Sequence, residues 1–280
     1  MARLPRIIWF CWFQGLEQAP ELVRECHASW VRHNPGWEVH VLDERNVGDF
    51  VDESCGWKWV HIPVQKRANL LRLVLLEAHG GVWADATCYC ARPLDDWIFD
   101  CMDTGFFCFQ NGGPRRVMAS WFLAALPGNE LVRSFRALHT AYWRENRFRD
   151  PEKWPVRIIR GVLKRVFMLR ENWTDWWFSQ PVKDCLRLSP YFAAAYHFAW
   201  HLRRDEVSAR IFHNMPRKYA APLLGPAHMG LKGESLDEMR NEILRTSCPL
   251  YKWNWKFELF GGKGASEALH YLFREEQLKA

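Results

Sequence analysis

Apolar positions along this chain follow two alternating periods. Ile7–Phe13 is a continuous apolar run stopped by Gln14-Gly15, the pattern of a strand buried on both faces. Pro20 opens Glu21–His33, where Leu22, Cys26, Trp30 and His33 fall at helical spacing before Asn34-Pro35-Gly36 ends the run. Trp37–Leu42 alternates as a second strand, and Asp43–Asn46 forms the loop at its C-terminal end. Gln65–His79 is a strongly apolar helix closed by Gly80-Gly81. Val82-Trp83-Ala84 then reads as a short strand running straight into Asp85. Strand, helix, strand, helix, strand in succession predicts the α/β class.

Beyond this, Phe106–Phe109 is a further apolar strand. Met118–Ala125 and Asn129–Arg144 read as helices around Pro127-Gly128. Val156–Arg170 reads as a basic amphipathic helix, Pro190–Leu202 as an aromatic one and Ser266–Leu278 as a charged one. Ser235–Leu244 carries the Ser235…Glu238 pattern of a capping box. No repeat, low-complexity tract or linker interrupts the chain. The expectation is one domain over 1–280, with an α/β core in 1–115 and a mainly helical completing region in 116–280.

Composition narrows the class. With 49% hydrophobic and 25% charged residues, the 280-residue chain is neither disordered, collagenous, coiled-coil nor a disulfide miniprotein. The net charge of +6 suits a phosphorylated ligand, an anionic membrane surface or nucleic acid without choosing among them. Seventeen Trp beside seven Tyr is the anomaly, and indoles suit stacking on sugars or bases as well as core packing. The nine Cys have irregular spacing and no CxxC pair, which predicts buried reduced thiols in a cytoplasmic protein and no zinc knuckle. The seven apolar residues after Arg3 and Arg6 lack a small-x-small cleavage pattern and read as a strand, not a signal peptide. No run approaches the ~18 apolar residues needed to span a bilayer.

The candidate chemistry centres on residues 69–87. Asn69 and Arg72 are three apart and share a face of an otherwise apolar helix. A guanidinium there needs a carboxylate, phosphate or sugar partner, because an unpaired buried charge is costly. The strand after the double glycine delivers Asp85 at its C-terminal end, where open α/β sheets bind ligands. Thr87 lies two residues on, pointing the same way. Such an acid could meet a ribose hydroxyl or a cation bridging a diphosphate, facing the guanidinium across a slot wide enough for pyrophosphate. A buried Arg72–Asp85 ion pair with a purely structural role is the other reading.

These residues carry a resemblance. Asn69-Leu70-Leu71-Arg72 followed by Gly80-Gly81-Val82-Trp83-Ala84-Asp85-Ala86-Thr87 resembles the (D)xxR…GG[VI][WY]xDx[DT] signature of family 32-like DxD sugar-nucleotide transferases. Bacterial capsular polysaccharide synthesis proteins are the nearest likeness. Blocks elsewhere agree with it: Leu4–Phe13, Asn34–Val39, Ser120–Ala125 as the helix after the third strand, Pro190-Tyr191-Phe192 with His197, Gly225-Pro226 as a turn, and Ser247–Lys256. The resemblance implies a GT-A fold and retaining transfer from a nucleotide-diphosphate sugar to a glycan or lipid-linked oligosaccharide acceptor. It implies that 1–115 binds the nucleotide sugar and that 116–280 lies on the acceptor side. It puts Trp12 on the nucleobase, Asn69 and Arg72 on the donor sugar and phosphates, and Asp85 on ribose, donor and Mn²⁺ or Mg²⁺. Lys252, Trp253 and Lys256 would approach the diphosphate. Asn69 stands where many relatives have Asp, and its amide can still bond sugar hydroxyls. Thr87 replaces the last carboxylate of the motif, so metal binding is expected to be weaker or to rely on phosphate and water. A non-catalytic sugar-nucleotide or glycan-binding protein is the rival reading.

Three further features bear on function. His197 and His201 share a helix face as zinc ligands could, but no HExxH pattern accompanies them and a packed helix fits better. Arg157, Arg160, Lys164 and Arg165 fall opposite Ile158, Ile159, Val162, Leu163, Val166 and Phe167, with Trp173, Trp176, Trp177 and Phe178 next. Either that apolar face packs on the core, or 157–178 rests on anionic lipid at the inner face of a plasma membrane. Basic residues with aromatics are also a loose nucleic-acid footprint, but no RNP-type or zinc-finger motif is present, so no nucleic-acid partner is expected.

Overall fold

A computed structural model of the chain describes residues 3–55, 58, 61–254 and 264–273. The expected Lys256 contact, and the 274–278 end of the last expected helix, lie outside these residues. The strands are β1 (Ile7–Cys11), β2 (Glu38–Leu42), β3 (Gly81–Asp85), β4 (Cys88–Cys90), β5 (Phe106–Gln110), β6 (Met118–Ala125) and β7 (Leu250–Lys252). The helices are α1 (Glu21–His33), α2 (Val64–Ala78), α3 (Glu130–Glu145), α4 (Trp154–Phe167), α5 (Ala193–Leu202), α6 (Glu206–Asn214), α7 (Ala221–Leu231), α8 (Leu236–Thr246) and α9 (Ala265–Leu272).

The expected α/β architecture is the one the chain adopts. A five-stranded sheet runs β2-β1-β3-β6-β5; β1 is parallel to β2 and β3, and β6 is antiparallel to both β3 and β5. Alternate side chains of β1 and β3 enter two cores. Ile8, Phe10, Val82 and Ala84 pack toward Val23, Cys26 and Trp30 of α1, whereas Trp9 and Trp83 pack with Leu71, Leu75 and Leu76 of α2. Covering both faces explains the near-continuous apolar strands.

Gly80 and Gly81 earn their positions by geometry. Both have positive φ, at 68° and 88°. A Cβ on Gly81 would sit 2.6 Å from the Ile7 carbonyl oxygen, and one on Gly80 2.6 Å from Pro127 Cδ. Only glycine lets α2 turn directly into β3 between β1 and β6.

Several sequence expectations need correction. Met118–Ala125 is a strand, not a helix: Ala, Leu and Met favour helix locally, but the segment is inserted between β3 and β5 and covered on both faces, so its pattern shows no period of two. The core therefore does not end at residue 115, because β6 belongs to the central sheet and β7 pairs with β4. Gly225-Pro226 is not a turn; it lies inside α7, where Pro226 forgoes only the bond its N–H would have made to Pro222. Helices α6 and α7 had no counterpart in the sequence reading. Other elements stand where expected. Helix α1 has the expected bounds, and both hydrogen bonds of the Ser235–Glu238 capping box are formed. All nine cysteines are free and seven are buried; Cys185 is exposed and Cys248 half-buried.

Candidate functional site

The C-terminal ends of β1, β2 and β3 share one sheet edge, where Cys11 is in register with both Leu42 and Asp85. Asp85 is the last residue of β3, and its side chain is 28% exposed. Three donors hold it. Trp83, two residues back on the same strand face, donates its indole N–H to Oδ1 at 2.8 Å. The Arg72 Nη2 lies 3.1 Å from Oδ1, and the Lys252 Nζ lies 3.7 Å from Oδ2.

Arg72 arrives from α2, on the face that covers β3. Its side chain is only 6% exposed. The guanidinium lies over the Trp83 ring at 4.9 Å, donates from Nη1 to the Ser120 carbonyl of β6, and donates from Nε to the Ala68 carbonyl at 3.3 Å. Every face of this buried cation therefore meets a compensating group. Lys252 arrives from the far end of the sequence: β4 and β7 pair Cys88 with Lys252, and its ammonium donates to the Thr87 hydroxyl.

The edge therefore gathers two cations around one carboxylate, with a partly open carboxylate and a lysine that is 17% exposed. A third cation, Arg67 of α2, lies over the Phe13 ring at 5.3 Å and 3.7 Å from Glu44. Such a surplus attracts a polyanion such as a diphosphate. Neighbouring thiols register the same charges. Burial pushes the Cys88 thiol up to about 12 despite the opposing pull of Lys252, and Cys11, beside Arg72 and Asp85, is also raised by burial.

The expected site residues divide into two groups. Arg72, Asp85, Thr87 and Lys252 converge. Asn69 is half-buried one helical turn before Arg72 on α2, and Trp12 is half-buried one residue beyond Cys11 at the same edge. Trp253 is a correction: it is packed into the core at 2% exposure, with its backbone N–H on the Thr87 carbonyl, so it fixes the position of Lys252 and has no face for a donor. The slot expected between acid and guanidinium is corrected as well, because the two groups touch directly. Trp83 and Ser120 were missed. Trp83 reads as one more apolar strand residue, and Ser120 lay in a segment read as helix.

The donor set does not fit a resident Mn²⁺ or Mg²⁺. Hard cations need several oxygen ligands. Here Asp85 already accepts a hydrogen bond from Trp83 and is ion-paired with Arg72 and Lys252, and the Thr87 hydroxyl is engaged by an ammonium. Among the described residues no group of three or more His, Cys, Asp or Glu could hold a metal.

His197 and His201 are core residues, as the packed-helix reading expected. Trp143 donates to His139 Nε2 at 3.2 Å, which puts the His139 proton on Nδ1, aimed at His197 Nδ1 3.0 Å away. His201 bonds the Ser134 and Ser208 hydroxyls at 2.9 and 3.0 Å. Burial holds His139 down at about 3 and His197 well below the usual imidazole value.

Comparison with known proteins now has a geometry to attach to. A profile of the capsular polysaccharide synthesis proteins matches residues 2–150, just over half of the chain. The chain is 27% identical to the O-glycosyltransferase braB of Annulohypoxylon truncatum over 49% of this chain and 37% of that protein. It is 26% identical to the glycosyltransferase afumC of Aspergillus fumigatus over 49% of this chain and 40% of that protein. The match thus spans well under half the length of either relative. A solved structure, a PaToxG glycosyltransferase, aligns over 97% of this chain and 86% of its own at 10% identity and a TM-score of 0.44. Both of these curated relatives are glycosyltransferases by name. By the profile match, the chain belongs to the capsular polysaccharide synthesis protein family.

Proposed function

We propose that the chain is a retaining glycosyltransferase that moves a sugar from a nucleotide-diphosphate sugar to a glycan or lipid-linked acceptor in surface-polysaccharide synthesis. The observation that carries the reading is the pair of cations, Arg72 and Lys252, on a partly exposed carboxylate at the carboxyl edge of parallel strands.

In this reading Trp12 stacks on the base, and Asn69 and Asp85 hold hydroxyls of the donor. The bond between the anomeric carbon and the diphosphate oxygen breaks, and the electron pair leaves with the diphosphate. Lys252 carries most of the neutralisation of that leaving group, because it is the more accessible cation. Arg72, fixed against Trp83 and Ser120, holds Asp85 in place. The acceptor hydroxyl attacks from the leaving-group side, and its proton passes to the departing phosphate oxygen. Preorganised charge at that oxygen supplies the acceleration, so a separate strong base is not needed. Because Lys252 takes the place beside Asp85 and Thr87 that a divalent ion would need, transfer proceeds without a protein-held metal.

Donor hydrolysis and transfer, measured across nucleotide sugars with Mn²⁺ or with EDTA, test this. Lys252→Ala and Asp85→Ala should each lower turnover by at least about a hundredfold, as loss of one stabilising group at a developing charge does. EDTA should change wild-type turnover little. Nucleoside-diphosphate binding without turnover by the wild type, across donors and with or without Mn²⁺, would instead identify a sugar-nucleotide-binding protein.

A further inference from the structure

Helix α4 is an amphipathic helix whose apolar arc is only half used. Val156 and Phe167 are buried, and Leu163 is half-buried, in a satellite core with Trp177, Val182, Leu188 and Tyr196. At about 100° per residue these three lie close together on the helix wheel. The rest of the arc, Ile158, Ile159, Val162 and Val166, is exposed to solvent. Met168 and Leu169 extend it beyond the helix, with Val162 at 53% and Leu169 at 72% exposure. Trp154 and Trp176 add two exposed indoles. The expectation that the whole apolar face packs on the core is therefore corrected. So is the idea that all of Trp173, Trp176, Trp177 and Phe178 are free: Trp177 is core, Trp173 packs against it, and Phe178 stacks on His197 at 4.3 Å.

The charge beside this strip has one sign. From Lys153 to Arg170 the chain carries Lys153, Arg157, Arg160, Lys164, Arg165 and Arg170, and no Asp or Glu. Of these only Arg160 is half-buried. Exposed Glu171 follows directly, and the next acid, Asp175, is occupied by Arg203 and Arg204. Among the described residues no helix is long and apolar enough to cross a membrane. A helix with an exposed aliphatic strip, flanking cations and indoles at its ends matches the interfacial helices that lie flat in an anionic headgroup layer. A soluble protein partner would ordinarily need acids facing this array and would leave the strip bare when unbound.

We propose that α4, with Met168, Leu169 and Trp176, is a docking face for an anionic lipid bilayer. The aliphatic strip enters the acyl boundary, and the basic side chains pair with lipid phosphates. Arg160 is close enough to Lys66 to help burial push that lysine down to about 8, and Lys66 caps the Tyr191 carbonyl from the same helix that carries Asn69 and Arg72. On the transferase reading, the acceptor this face presents is a saccharide carried on lipid.

Vesicle flotation of the full chain tests the docking face without involving turnover. Phosphatidylcholine vesicles with about one-third phosphatidylglycerol should capture the wild type at least tenfold better than pure phosphatidylcholine. Val162→Asp with Ile158→Asp should abolish capture. Lys164→Glu with Arg157→Glu should cut it at least tenfold, since each reversed charge removes one attraction and adds one repulsion. All four side chains are exposed, so the thermal midpoint and nucleoside-diphosphate binding should stay at wild-type values, which keeps failure here separate from failure of the transferase reading. Equal capture by neutral and anionic vesicles, capture unchanged in the variants, or a dimer in sedimentation that Val162→Asp dissociates would each overturn the proposal.

Discussion

The sheet edge and α4 both concentrate positive charge, and they do so in opposite ways. At the edge Arg72 is 6% exposed and bonded on every side, so its charge acts through a fixed position. On α4 Arg157, Lys164 and Arg165 stand in water, and their effect comes from number and sign. Locked charge can recognise one geometry, such as a diphosphate beside Asp85. Loose charge recognises a surface. The same contrast runs through the apolar residues of α4, where Phe167 belongs to a core and Val162 to the solvent.

The sharpest way to break this contrast is to remove one arginine from each region. Arg72→Ala should cost about 3 kcal/mol of stability in denaturant unfolding, because it removes the buried cation that Asp85 and the Ser120 carbonyl share. Arg157→Ala should stay within about 0.5 kcal/mol of wild type. Equal, small losses would mean that the edge ion pair is no better held than a surface one. Next comes a comparison within α4 itself. Phe167→Ala should cost about 3 kcal/mol through the cavity it opens, whereas Val162→Ala should be near neutral or slightly stabilising. A similar loss for both would show that the exposed strip is packed in solution.

A smaller effect separates held charge from excluded charge. His139 and His197 are kept neutral by burial, with folded values below the ordinary 6.5. The unfolded chain therefore takes up protons that the folded chain refuses. Their neutral burial is fully tolerated above about pH 6.5, and stability falls as the pH drops from there toward the folded value of about 3 for His139. Between pH 7 and 5 each buried imidazole should remove about 2 kcal/mol, read from denaturant midpoints. A flat profile over that range would mean the pair is hydrated.

Legibility along the chain follows the range of the forces. Helix α1 was read to the residue because its apolar spacing, its leading proline and its Asn34-Pro35-Gly36 stop are all local. The end of β3 at Asp85 and the shared face of Asn69 and Arg72 were equally local and were placed correctly. Strand β6 was misread because an eight-residue apolar run covered on both faces has no period to reveal it. That error also hid Ser120 as the carbonyl that receives Arg72. Trp253 was assigned to the donor through a sequence block shared with relatives, and only its burial shows that it is a wedge behind Lys252. For α4 the wheel separated basic from apolar sides but could not divide the apolar side into buried and bare parts.

From the sequence alone follow the α/β alternation, the glycine pair that throws β3 into the sheet, and the acid at that strand's tip, since each depends on spacing within a few residues. Only the folded chain brings Lys252 across 165 positions to Thr87, turns 118–125 into the strand that caps Arg72, and leaves half of α4 uncovered. Those outcomes depend on which distant surfaces meet, and hydrophobic burial has no direction that a local pattern could encode.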